Sequence, residues 1–154
     1  KQIAPRKVIK EKGDSIFLSN TSGLNWDLIP LTNGCYRLYL LHGTTKHGVI
    51  PIGDDYAFDF DKDMNILSWR RFHRSFLEQP ITMNGEKITE VMHSHTPMTP
   101  YFTTTDIANY MLYGCDLYGI KRFSVLSTAF ADTSYLTTFD VEKMKLTSTV
   151  YTVK

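Results

Sequence analysis

The scarcities of this chain narrow the field before any motif does. Only 2 cysteines occur in 154 residues. Cys35 and Cys115 lack the C-x-x-C spacing of a zinc knuckle or redox pair, and two thiols alone decide neither a disulfide nor a compartment. Charge imbalance is scarce as well. The 17 Lys and Arg stand against 16 Asp and Glu, a net +1, so electrostatics give no reason to expect nucleic acid or an anionic membrane as partner. No apolar run reaches the ~20 residues of a membrane span, and no signal peptide is legible. Internal repeats and low-complexity tracts are missing. One absence is local: no Glu occurs between Lys12 and Leu77.

What is present is ordinary for a soluble globular protein, 42% hydrophobic and 21% charged. The length predicts a single compact domain with a proper core: residues 1–34 as an N-terminal arm and edge strand, 35–154 as the domain itself. Opening on Lys1 rather than Met, the chain reads as a processed or trimmed product. Lys1–Lys12 reads as an extended arm, Ser15–Leu18 as a short strand and Asn20–Gly23 as a turn. Leu24–Pro30 carries Trp26 into the core or across an edge. Tyr36–His42 reads as a half-buried strand that turns through Thr44–Gly48 into Val49–Ile52. Gly53-Asp54-Asp55 interrupts before Tyr56–Phe60 resumes. Ile66–Phe76 reads as strand, with a helical turn near Arg74–Glu78. Asn84-Gly85 is the strongest hairpin signal, because both residues tolerate the positive φ of a type I′ turn; it joins Ile81–Met83 to Lys87–Met92. A helix over about 103–114 follows, with Ile107, Tyr110 and Met111 inward and Gly114 as its stop. Strands at Arg122–Ala129, Tyr135–Val141 and Leu146–Val153 complete the chain, the last with clean alternation. The expected class is α+β: a central mixed, mostly antiparallel sheet with that one helix packed on it.

The chemistry concentrates between Glu90 and Gly114. On a strand, alternate residues share a face, so His93 and His95 project side by side. Asp106 falls in the first turn of the following helix. Two imidazoles and a carboxylate would leave the fourth position of a tetrahedral Zn2+ open, as a catalytic site requires. A plain structural reading fits the same residues. Thr103-x-x-Asp106 ahead of an apolar run is a capping-box-like start, and a His-x-His recurs by chance. The other histidines, His42, His47 and His73, read as structural or exposed. Asp59, Asp61 and Asp63 are calcium-like in spacing, but the Gly and terminal Glu of an EF-hand loop are missing. The His-x-Glu and Pro-Cys-x-x-Cys of zinc deaminases are absent, and barrel hydrolases need a longer chain.

His93-x-His95, ten residues and then Asp106 resembles the zinc signature of the JAMM metallopeptidases, also called the MPN or JAB domain. Pro97 stands where that family places a Pro, and Thr103 keeps a hydroxyl where it places a Ser. Leu40-Leu41-His42-Gly43 with Gly48-Val49-Ile50 looks like the family's first hairpin. The resemblance covers roughly Cys35 to Ala129. It implies a JAMM/MPN-like fold with a cytidine-deaminase-like layout, and zinc on His93, His95 and Asp106. It also implies that Thr103 steadies an oxyanion while a peptide or isopeptide bond is hydrolysed, with a peptide or protein as substrate or ligand. Two departures accompany it. The family's catalytic Glu position is held by Tyr36 and Arg37, and no helical period appears near Leu24–Pro30. Asp54, Asp55, Glu78 and Glu90 are the acids that could substitute, and all four read as solvated surface charges; Glu90, three before His93, faces the opposite side of its strand. A non-catalytic binding module on the same fold and an unrelated α+β interaction domain with chance histidines are the other readings.

Overall fold

A computed structural model gives the fold and describes residues 24–130 and 132–152. The expected arm, the strand at Ser15–Leu18 and the turn at Asn20–Gly23 lie outside the described residues. In chain order the strands are β1 Leu24–Pro30, β2 Tyr36–His42, β3 Val49–Gly53, β4 Tyr56–Phe60, β5 Ile66–Arg71, β6 Phe76–Pro80, β7 Thr82–Met83, β8 Glu86–Lys87 and β9 Glu90–His95. Helix α1 Thr104–Asn109 then widens into a π-helical stretch, Tyr110–Leu117, followed by β10 Arg122–Phe130, β11 Thr133–Asp140 and β12 Lys145–Thr152. The class is α+β, but one central sheet is not what forms. The strands make two four-stranded and two two-stranded sheets. The expected hairpin from Leu40 to Ile50 is not a strand pair either: β2 takes β1 and β4 as neighbours, and β3 pairs with β6. Turn residues mark where a chain bends, whereas register is set by which apolar faces match. The described residues fall into two compact units, one comprising Gly53–Phe76 and the chain up to Thr45, the other Lys46–Ile52 and the chain from Leu77 onward.

In the first unit the antiparallel sheet runs β1-β2-β4-β5. Leu24, Leu38, Leu40, Phe58 and Phe60 form its core, while Trp26 stays half exposed on the edge strand. Arg37 lies directly opposite Asp59. Its Nε and Nη2 donate to the two carboxylate oxygens at 2.6 and 3.0 Å, and hydrogen bonding to this guanidinium holds Asp59 below its ordinary carboxylate range. Asp61 accepts from the N–H groups of Asp63 and Asn65 and so closes the β4–β5 loop. The calcium-like spacing is thereby explained by a cross-strand pair and a turn.

Asp54 and Asp55 are not the solvated charges the sequence suggests. Asp55 is 1% exposed and accepts from both the backbone N–H and the Nδ1 of His73, at 3.0 and 2.7 Å. Burial works to raise Asp54, but hydrogen bonds from Tyr56, His42 and Arg71 outweigh it and hold the carboxyl below its usual range. These contacts also replace the helical turn expected near Arg74. The N–H of Phe72 donates to the Asp55 carbonyl, Arg71 reaches the Arg74 carbonyl, and the chain passes from β5 to β6 without a helix.

The second unit carries the sheet β12-β11-β10-β9. β9 and β10 run parallel, which requires a crossover; the helix provides it. Burial along β9 alternates, placing Val91, His93 and His95 inward and Met92 and Ser94 outward. Their register partners on β10 are Phe123, Val125 and Ser127, all buried. Tyr110 stacks on Phe123 at 4.9 Å between ring centroids, and with Ile50, Ile52, Val91, Ile120, Val125 and Phe139 these rings form the core. Asn84 and Gly85 take φ of 53° and 82°, the hairpin turn their identities call for. The helix does not stop at Gly114. It continues to Leu117, and Gly119, at φ 67°, reverses the chain as its N–H closes on the Cys115 carbonyl. Gly114 instead makes room: a Cβ there would lie 2.6 and 2.8 Å from the Tyr110 ring. β12 is exposed on every residue; its alternation belongs to a strand at the sheet's end, not to a half-buried one.

Two outcomes follow from this packing. Gly114→Ala drives a methyl into a ring whose hydroxyl is fixed by the Ile120 carbonyl at 2.6 Å, and should lower stability by about 1–3 kcal/mol in urea unfolding, the usual cost of overpacking. Arg37→Gln should lower stability at neutral pH. Asp59 is depressed in the folded state, so its contribution is present above its unfolded value of about 3.9 and is lost as pH falls through the folded value. The gap between wild type and Arg37→Gln should therefore narrow as unfolding is measured towards about pH 3.

Candidate metal centre

Three inward side chains of the second unit meet at the carboxyl end of β9. His93 Nε2 and His95 Nε2 are 2.7 Å apart. Asp106 Oδ1 lies 3.3 Å from His93 Nε2, and Oδ2 lies 3.5 Å from His95 Nε2. All three residues are buried, at 8%, 3% and 3% exposure. The structure brings together the two histidines and the aspartate that the sequence singles out. The capping reading holds as well: Asp106 closes the capping box of α1.

The local structure explains how. Thr103 is the N-cap of α1, and its Oγ1 accepts from the Asp106 N–H at 3.1 Å. Asp106 Oδ2 in turn accepts from the Thr103 N–H at 2.7 Å, completing a capping box. A carboxylate in the first helical turn is further favoured by the helix dipole. Thr103 Oγ1 also donates to Asp106 Oδ2 at 2.8 Å and lies 2.7 Å from Thr105 Oγ1. Asp106 is therefore fixed by its own helix, and its position does not depend on the histidines.

Beyond their contact with each other, the two imidazoles have separate supports. The His95 Nδ1–H donates to the Tyr101 carbonyl at 2.9 Å, which leaves Nε2 as the lone-pair nitrogen of the neutral ring, the arrangement a metal-ligating histidine needs. His93 packs on Phe123 at 5.2 Å between centroids. Phe123 is clamped by Phe102 edge-on at 5.2 Å and by Tyr110 stacked on it. In the neutral pair His93 Nε2–H donates to His95 Nε2, so taking up a metal requires release or transfer of that proton.

The donor set fits a cation. One ligand atom from each of the three residues lies within 4.8 Å of the others, and the group could hold a metal ion. Ligands about 2.0–2.2 Å from a tetrahedral metal stand roughly 3.3–3.5 Å apart. The two histidine–aspartate distances have that length, though each runs to a different carboxylate oxygen, Oδ1 for His93 and Oδ2 for His95. The His93–His95 separation is a hydrogen-bond length, so the rings would spread by about 0.7 Å.

Further polar side chains are buried around these residues. Thr103 at the N-cap, Thr105 and Asn109 of the helix and Ser127 of β10 are all buried. Asn109 Oδ1 and Ser127 Oγ have no hydrogen-bond partner among the described residues. The sequence reading passed over both: Ser127 lies inside an apolar strand, and its place beside His95 comes from the β9–β10 register. Glu90 faces the other side of β9, where it bonds Ser124 Oγ and approaches Arg122 at 3.7 Å, as its spacing from His93 predicts. Glu78 is exposed and pairs with Lys46 at 2.5 Å. Cys35 and Cys115 are free thiols. No helix among the described residues is long and apolar enough to cross a membrane.

Asp106 has two separable duties. Asp106→Asn keeps an acceptor for the Thr103 N–H and should leave stability within about 0.5 kcal/mol; Asp106→Ala should cost about 1 kcal/mol or more. Both should abolish divalent-metal uptake. Urea unfolding and metal titration of the two variants check this.

Compared with protein-family profiles, with curated proteins and with solved structures, the chain matches none of them.

Proposed function

We propose that the second unit is a JAMM-like zinc domain that acts on a peptide or isopeptide bond. The observation that carries this is the convergence of His93, His95 and Asp106, at the spacing that resembles that family, into one buried cluster at the junction of β9 and α1. Imidazole nitrogen and carboxylate oxygen suit zinc. When bound, zinc supplies Lewis acidity that polarises a carbonyl and acidifies water.

The remaining work falls to the chain's own groups. The Tyr101 carbonyl keeps the His95 proton on Nδ1 and its Nε2 turned to the cluster. The capping box holds Asp106 against rotation. The Phe102–Phe123–Tyr110 stack excludes water behind His93 and raises the local strength of charge interactions.

A second reading has an observation of its own. Arg37, standing where the family has its catalytic Glu, is engaged in a bidentate pair with Asp59. That favours a domain which keeps its metal for structure or binding and contributes no base from this strand; a missing general base costs about two to four orders of magnitude in rate.

Elemental analysis and turnover on quenched peptide and isopeptide-linked substrates separate these readings. The hydrolase should bind about one zinc and lose cleavage in Asp106→Asn. Zinc without cleavage of any substrate would leave the binding module. Absence of zinc, with His93→Ala indistinguishable from wild type, would remove both.

A further inference from the structure

Ser127 is, with Asn109, a buried polar residue at this site with an unpartnered side-chain atom. Its side chain is 3% exposed and its Oγ has no hydrogen-bond partner among the described residues. A buried hydroxyl in that state costs roughly 1–3 kcal/mol and calls for a reason. Its location supplies one. Ser127 is the register partner of His95 across the parallel β9–β10 pair, and neighbouring strands lie only about 4.8 Å apart. Strand alternation puts Phe123, Val125 and Ser127 on one face, the face on which their register partners Val91, His93 and His95 lie across the pair. Both His95 and Ser127 stand towards the carboxyl ends of parallel strands joined through a helix, the edge of an α/β unit where ligands collect.

Thr103 makes the contrast. Its one hydroxyl proton has two neighbouring oxygens, Asp106 Oδ2 at 2.8 Å and Thr105 Oγ1 at 2.7 Å, and its Oγ1 also accepts from the Asp106 N–H. Withdrawing it to stabilise a substrate oxygen would loosen the aspartate that the site depends on. The Ser127 proton carries no such obligation.

We propose that Ser127, rather than Thr103, supplies the hydroxyl that holds a ligand oxygen at the metal centre, donating to the oxygen of a carbonyl or carboxylate bound beside His95. The role rests on the zinc reading above and extends it by naming the group that contacts the ligand's oxygen. Thr103 then acts as a positioning residue for Asp106.

The test uses the full chain loaded with Co2+, whose visible absorption reports coordination, and formate as the oxygen-donor probe. Ser127→Ala should take up Co2+ as wild type does, yet bind formate about tenfold more weakly, the loss of one hydrogen bond to a charged acceptor. Without metal, the same variant should be as stable as wild type or more so, because it removes a buried polar group that has no partner. Ser127→Thr, which keeps the hydroxyl, should restore formate binding. An unchanged formate affinity in Ser127→Ala overturns the assignment while leaving the metal centre intact. A drop in metal-free stability overturns it as well, by showing that the hydroxyl had a protein partner. A wild-type chain that gives no cobalt spectrum brings down the metal reading itself, and the role of Ser127 with it.

Discussion

Asp106 is the point on which the second unit turns. One carboxylate closes the capping box of α1 through Oδ2 and faces the two imidazoles through both oxygens. A helix start wants an acid in its first turn and a metal wants an anion among its ligands, and here the two requirements coincide at one residue. The consequence is preorganisation. The aspartate is set by a local hydrogen-bond ring that needs only Thr103, so the carboxylate is in place whether or not a cation has arrived.

The histidines are held by different means, and that division gives the cluster its shape. His95 is oriented by a backbone carbonyl from the Pro-punctuated loop; His93 is oriented by aromatic packing against Phe123. Both also touch the Asp106 carboxylate. Three side chains fixed by a helix cap, a loop carbonyl and a ring stack converge because β9, the loop and α1 form a single crossover to β10. A core that buries this many polar atoms is less stable than an apolar one of equal volume, and selection for stability alone would not assemble it.

The acids of the first unit tell the opposite story. Asp59, Asp61, Asp54 and Asp55 look like chemistry in the sequence, as a calcium-like spacing and as substitutes for a missing Glu. Each is accounted for by structure: Arg37 across a strand pair, a loop closed by backbone N–H groups, a cluster of His42, Tyr56 and Arg71, and the backbone and ring of His73. Spacing alone could not separate these cases from His93, His95 and Asp106. Partners do, and partners are distant in sequence.

What the sequence determined by itself is whatever short-range physics encodes. The period of two along Glu90–His95 put both histidines on one face. Thr103 and Asp106 at N-cap and N3 started the helix. Asn84-Gly85 dictated its turn, and the mix of apolar and charged residues dictated a folded α+β chain. Tertiary structure decided the rest, because it depends on which surfaces meet. The pairing of β3 with β6 instead of β2, the division into several sheets and the run of the helix past Gly114 were settled by packing. So was the arrival of Ser127 beside His95, fixed by the register of two strands that the sequence separates by a whole helix.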